Sequence, residues 1–188
     1  MSSRDLYFSA VAEGNSSTVD ELLTSQPKLL YAKEFNGYSA LARAAGEGHT
    51  EVVATLLKHG FSSDYIGALG STAAHAAVEG FDVSLPSLIL ISEAGANLEI
   101  QNQEGETPLM LACSLTNLWA LSYLLGRRVS VDRVNKNGVD AKGLLQRSLS
   151  SALKEPRKYK DQIQQARTIE QLLDAYVGAM SHNSRKID

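Results

Sequence analysis

Apolar positions between residues 36 and 60, NGYSALARAAGEGHTEVVATLLKHG, fall into two short clusters separated by glycines and polar residues. Leu41, Ala44 and Ala45 place a small apolar face on a first helix. Val52, Val53, Leu56 and Leu57 follow the i, i+1, i+4, i+5 pattern of a second helix with one broad buried face. Ser39 can cap the first helix with its hydroxyl, and Glu51 stands favourably near the positive end of the second. Gly46 and Gly48 interrupt the pattern between them. Asn36-Gly37 suits a tight turn in which both residues take positive φ, and Gly60 suits a left-handed helix terminus. The stretch therefore predicts turn, helix, tight loop, helix, turn.

The same pattern recurs. Ala10, Ala44 and Ala112 lie at offsets of 34 and 68, as do the pairs Leu22-Leu23, Leu56-Leu57 and Leu124-Leu125. Gly14 and Gly48 keep the spacing, with Thr116 in the later copy. A further copy occupies 67–102, where Gly80 and Gly95 are fifteen residues apart against twelve for Gly48 and Gly60. Three extra residues are therefore expected in the loop 81–84, and Pro86 fits only a first helical turn. A fixed period of this length marks a repeat architecture in which each unit buries its apolar face against its neighbours.

Gly105-Glu106-Thr107-Pro108-Leu109 with Ala112-Cys113, Ala44-Ala45 with Gly48-His49 and Gly60, and Gly95-Ala96-Asn97-Leu98 together resemble the ankyrin-repeat family. The resemblance covers roughly residues 5–137. It implies an all-α solenoid of stacked helix-turn-helix units with short hairpin turns. The expected organisation is a single domain, 1–180, with repeats at 4–31, 32–66, 67–102 and 103–134. A divergent fifth unit and C-terminal cap span 135–180, followed by a flexible tail, 181–188.

Departures from the pattern are informative. Arg4, Asp5 and Ser9 are polar where inner copies would be apolar, as in a terminal capping repeat, and Pro27 replaces the helix-ending glycine. Two registers are open for His75. Anchored on Gly70 it approaches the family's structural Thr-Pro-Leu-His histidine; anchored on Ala76-Ala77 and Gly80 it projects toward a partner. The fourth copy ends Arg127-Arg128-Val129 where the family has Gly-Ala. In the fifth, Asp140 is the expected cap, while Lys142 and Gln146 fall at positions ordinarily buried. Ile163, Ala166, Ile169, Leu172, Leu173, Tyr176 and Met180 then describe one helical face, predicting a helix from about 159 to 180. It either covers the end of the stack or serves self-association.

With 44% apolar and 21% charged residues, the 188-residue chain has ample core and is not generally disordered. One cysteine, Cys113, allows no internal disulfide and offers no zinc cluster. No run approaches the ~20 apolar residues of a membrane span, and the N-terminus lacks a signal-peptide core. A cytoplasmic protein is expected, with the nucleus as the alternative. The net charge of −3 is unevenly spread. Residues 4–126 hold five Lys/Arg against fourteen Asp/Glu, −9, whereas 127–160 hold ten against three, +7. Such asymmetry can steer partners. Nucleic acid is not expected, because the basic region lacks interleaved stacking aromatics.

No catalytic constellation, cofactor motif or metal-ligand spacing is apparent, so neither enzyme activity nor a cofactor is expected. Cys113 replaces the second alanine of a buried pair and reads as a small hydrophobe. Arg127-Arg128-Val129-Ser130 resembles a basophilic-kinase site, making Ser130 a candidate phosphorylation site that would neutralise part of the basic end.

The ankyrin resemblance implies a protein-binding face made of turn tips and first-helix ends. Here those positions include Phe35, Asn36 and Tyr38, then Leu69 and Ser71, then Gln103, Glu104 and Glu106, with Leu115 before the fourth loop. Glu13, Glu47 and Glu79 are read as one position in three successive copies, a ladder of acid along one face or merely a solvated one. Phe35, Tyr38, Tyr65 and Ile66 are large side chains without an evident place in the core, and exposed aromatics make good anchors. The expectation is a monomeric, non-catalytic adaptor, inhibitor or assembly factor. Its groove would have an aromatic end and acidic flanks, suiting a protein or peptide with an apolar anchor and basic residues. The alternative is a regulatory or structural subunit that self-associates or docks through its C-terminal helix and basic end.

Overall fold

A computed structural model describes residues 2–32 and 37–184, with side chains through 180. Its described residues divide into two compact units between Gln103 and Glu104. Helices α1 (Ser3–Ala12), α2 (Ser16–Ser25), α3 (Ala40–Gly46), α4 (Thr50–Lys58), α5 (Ala73–Glu79) and α6 (Leu85–Glu93) build the first. Helices α7 (Pro108–Leu115), α8 (Leu118–Gly126), α9 (Ala141–Ala152) and α10 (Lys160–Ser184) build the second. Beyond the helices there are 3₁₀ turns and isolated bridges such as that between Val134 and Asp140, with no longer strand among the described residues.

In the first unit, α1, α3 and α5 pack side by side as one layer, and α2, α4 and α6 form a second. Between the layers lie Tyr7, Val11, Leu23, Leu41, Val52, Leu56, Leu88 and Ile91, all essentially sealed from solvent. Removal of these apolar surfaces from water is the main stabilising term. Local chemistry agrees with it at several helix starts. Ser39 accepts from the Ala42 amide at 3.1 Å and Thr107 from Met110 at 3.3 Å, supplying amides that the first helical turn leaves unpaired.

Successive copies are also hooked together through backbone. The His49 Nε2–H donates to the Ala12 carbonyl at 2.9 Å, tying the second copy to the first. In the third copy the Ser84 hydroxyl donates to Gly46, the equivalent carbonyl, at 3.0 Å. The insertion falls in a four-residue 3₁₀ turn, Phe81–Ser84, that carries this serine; counted between the left-handed positions, Phe81 to Gly95 against Gly48 to Gly60, it is two residues rather than the three expected. His75 is fully buried, and its Nδ1 accepts from the Thr72 amide at 3.2 Å in a reciprocal cap of α5. The structural register is therefore the one adopted.

An ion-pair cluster on the second layer predicts a pH effect. Asp20 accepts from His59 at 2.7 Å and Lys58 at 3.3 Å, and these bonds, His59 first, hold its carboxyl below the ordinary value of 3.8. A depressed pKa means the folded state favours the ionised form. Its contribution is present above 3.8 and is lost as pH falls through the lower folded value. Asp20→Asn should lower the unfolding midpoint at neutral pH, and the gap from wild type should close on acidification. A gap independent of pH would show that the carboxylate does not matter.

In the second unit α9 packs on α7, and α10 packs against both α9 and α8, covering what would otherwise be an open apolar end. The predicted amphipathic face of α10 divides. Ile163, Ala166, Ile169 and Leu173 are buried, but Leu172, Val177 and Met180 are exposed. Lys142, expected to be awkward, reaches the surface and pairs with Asp174 at 2.6 Å. Gln146 is exposed. Arg128 takes φ +60° where Gly60 and Gly95 stand at +85° and +88° in the earlier copies, a left-handed conformation unfavourable for a side-chain-bearing residue.

Candidate functional site

A groove runs between α3 and α5 in the first unit. Its floor is made of Ala42, Gly46, Ala76 and Gly80, and it encloses about 330 Å³. Small residues here allow close approach of the helices. A Cβ on Gly80 would collide with the Gly46 carbonyl and the Ser84 hydroxyl, so α3 and α5 are held at a spacing only glycine permits. Tyr38, half-buried, borders the groove, and Glu47 and Glu79 flank its other end.

The two glutamates differ. Glu47 caps α3 and receives the Arg43 Nε–H at 2.7 Å, with the His49 Nε2 at 3.6 Å. Glu79 has no hydrogen-bond or ion-pair partner among the described residues. It is the last residue of α5, where the negative end of the helix dipole disfavours a carboxylate. Although it reaches solvent, desolvation raises its pKa above the ordinary glutamate value. A cation placed beside it would relieve both effects.

The ladder of like positions is corrected by these boundaries. Glu13 and Glu47 are the C-caps of α1 and α3, but Gly80 holds that place in α5, and Glu79 aligns with Gly46. Matching Gly80 to Gly48 hides the shift, because it is Phe81, at φ 57°, that takes the left-handed place Gly48 holds at φ 76°. Glu13 is exposed and receives the Ser9 hydroxyl at 2.6 Å. It does not border the groove.

Tyr65 also finds a place the sequence did not show. Its ring lies edge-on to Phe61 at 5.4 Å, and Phe61 stacks on Tyr31 at 4.9 Å. The Tyr31 hydroxyl donates to the Gly60 carbonyl at 3.2 Å. Tyr65 thus belongs to an aromatic cluster joining the ends of two copies. Ile66 and Leu69 are the side chains left exposed, at 58% and 64%. Leu69 and Gly70, at φ 56° and 72°, form the turn tip, and the Gln103 amide donates to the Leu69 carbonyl at 2.8 Å. Ser71 is half-buried and its carbonyl accepts from Gly67. Phe35 and Asn36 lie outside the described residues.

The remaining candidates, apart from the Gln103 turn already described, belong to the second unit. Glu104 is exposed and its carbonyl accepts from the Lys136 amide at 3.0 Å. Glu106 and Leu115 are half-buried, and Ser130 is exposed. The groove therefore gathers Tyr38, Glu47 and Glu79 and adds Arg43, which sequence reasoning passed over. Arg43 was legible in principle as the i, i+4 partner of Glu47. Phe81 and Val83, exposed on the inserted turn, were likewise missed. Their signal was apolar residues in an insertion, with Phe81 at φ 57°.

Ankyrin repeats match residues 7–85 as three copies and residues 104–133 as a further repeat, together more than half of the chain. The chain belongs to the ankyrin-repeat family. No curated protein matches it. Ankyrin repeats are generally protein–protein interaction modules, typically without catalytic activity, and the fold here is their all-α repeat fold. Among the described residues no helix is long and apolar enough to cross a membrane.

Within this ankyrin fold Cys113 is fully buried, and burial, with Asp140 second, pushes its thiol up to about 12. Only the thiolate is strongly nucleophilic. Native protein should therefore resist a thiol-specific reagent at pH 8 for as long as it stays folded, and react fully once denatured. Rapid native labelling would show that α7 opens readily.

Proposed function

We propose that the groove between α3 and α5 binds a segment of a protein partner, seating an apolar side chain beside Tyr38 and a basic one beside Glu79. Glu79 carries this reading: an unpaired carboxylate, partly desolvated, at the wrong end of a helix, bordering a concavity. Ile66 and Leu69 offer further exposed apolar surface at the turn of the same copy. The reading is of a monomeric, non-catalytic adaptor, inhibitor or assembly factor of the cytoplasm, acting by occupancy.

Selection of a random peptide library on the wild-type protein, counter-selected on Glu79→Gln, tests it. Enriched peptides should carry Arg or Lys near an aromatic or aliphatic residue. Their affinity should fall roughly tenfold in Glu79→Gln and in Tyr38→Ala. Enriched peptides that bind both variants as tightly as wild type would place recognition elsewhere.

A second reading draws on α10, whose Leu172, Val177 and Met180 are exposed. They would serve self-association of a regulatory or structural subunit. Deleting 159–188 is a poor test, since Ile163, Ala166 and Ile169 are core. Light scattering of wild type against Leu172→Ser with Met180→Ser decides it: a dimer that becomes a monomer favours this reading.

A further inference from the structure

We infer that the exposed face of α9 is a second recognition surface, for an acidic polypeptide segment. Arg147, Ser150 and Ser151 recur at i, i+3 and i+4, so they share one side of the helix, and Lys154 follows two residues beyond its end. Concavities of about 470 and 410 Å³ lie along that side. Arg147 and Ser151 border both of them, Lys154 borders the first, and Tyr159 and Gln162 border the second. No carboxylate lines either one.

Ion pairing leaves several cations of this unit without a partner, and of these only Arg147 and Lys154 border the two concavities. Lys142 is matched by Asp174 at 2.6 Å, and Lys158 by Glu155 at 3.9 Å. Arg147 and Lys154 have no ion-pair partner among the described residues, and neither do Arg157, exposed on the turn after α9, and Lys160, exposed at the start of α10. They carry part of the excess of ten basic over three acidic residues in 127–160. Arginine and lysine beside hydroxyl donors are suited to carboxylates, arginine through two parallel hydrogen bonds.

The dimensions suit an extended chain. From Arg147 to its end at Ala152 α9 rises about 8 Å, and with Lys154 two residues further on the two cations span roughly three residues of extended polypeptide. Two acidic side chains at that separation would meet both cations, with the concavities taking what lies between. Nucleic acid is disfavoured. Tyr159 is the one aromatic lining these concavities, and the Lys158 ammonium lies 4.7 Å from its ring centre.

The surface is separate from the α3–α5 groove and does not depend on the reading of it. Fluorescence anisotropy with a labelled Asp/Glu-rich peptide tests the inference at low ionic strength. Saturable binding is expected, weakening as salt rises and falling roughly tenfold in Arg147→Gln with Lys154→Gln. Circular dichroism should show the double variant folded. Glu79→Gln and the charge-matched control Lys28→Gln with Arg167→Gln should bind as wild type does. Absence of binding, equal weakening by the control pair, or tighter binding of a single-stranded RNA oligonucleotide would each overturn it.

Discussion

Gly80→Ala should destabilise the first unit by about 3 kcal/mol, the upper part of the usual range for forcing a methyl into a filled site. The added Cβ would enter the space of the Gly46 carbonyl and the Ser84 hydroxyl, which are already hydrogen-bonded to one another at 3.0 Å. A backbone carbonyl cannot swing aside as a side chain can. Relief would require α3 and α5 to separate, or the hook from Ser84 to break and leave a part-buried carbonyl unpaired. The floor of the groove would move with it. Urea unfolding followed by circular dichroism measures the loss, and Gly178→Ala in α10 supplies the opposite sign. A Cβ there meets nothing, so removing backbone freedom from the unfolded chain should stabilise by roughly 0.5–1 kcal/mol. If Gly80→Ala were neutral, the contact would not be setting the spacing of these helices.

The second large effect lies in the other unit. Ile169→Ala should cost about 3 kcal/mol, within the range for truncating a sealed aliphatic side chain. Ile169 is completely buried on α10, with Ala166 beside it and Leu173 one turn on. Met180→Ala, on the exposed end of the same helix, should cost less than about 1 kcal/mol. Amide hydrogen exchange adds location to magnitude. Ile169→Ala should lower protection in α8, α9 and α10, the elements that pack together. Comparable losses from the two substitutions would mean that the inner face of α10 is not seated.

The repeat family was legible because its signals are local. A cap such as Ser39 or Thr107 acts within three residues, and alternation of small and large apolar residues states which helix face is inward. The 34-residue spacing then multiplied each weak signal. The candidate site was legible only in part. Tyr38, Glu47 and Glu79 could be nominated from turn tips and helix ends, and Arg43 from its i, i+4 spacing to Glu47, but the glycine floor could not, because its role depends on which helix faces which. Tyr65 misled for a similar reason. Its neighbours Tyr31 and Phe61 come from different copies, and no periodic rule announces an aromatic cluster built from helix-terminal loops.

Taken alone, then, the sequence determined a chain of helix pairs with capped starts, a stretched third copy and a long closing helix, since these follow from hydrogen bonding and periodicity over a few turns. Tertiary structure decided three things. It showed which acidic residue is left without a partner, Glu79 rather than Glu47, because Arg43 lies within reach of only one of them in the folded chain. It showed that the inserted turn 81–84 hooks the third copy to the second, and that Phe81 rather than Gly80 takes the left-handed place of Gly48, which moves Glu79 by one position in the alignment. It also separated the cations of the basic region into those paired across helices and those left facing solvent on α9. The Ser84 hook and the Lys142–Asp174 pair rest on distances between residues remote in the chain, set by the close approach of packed helices.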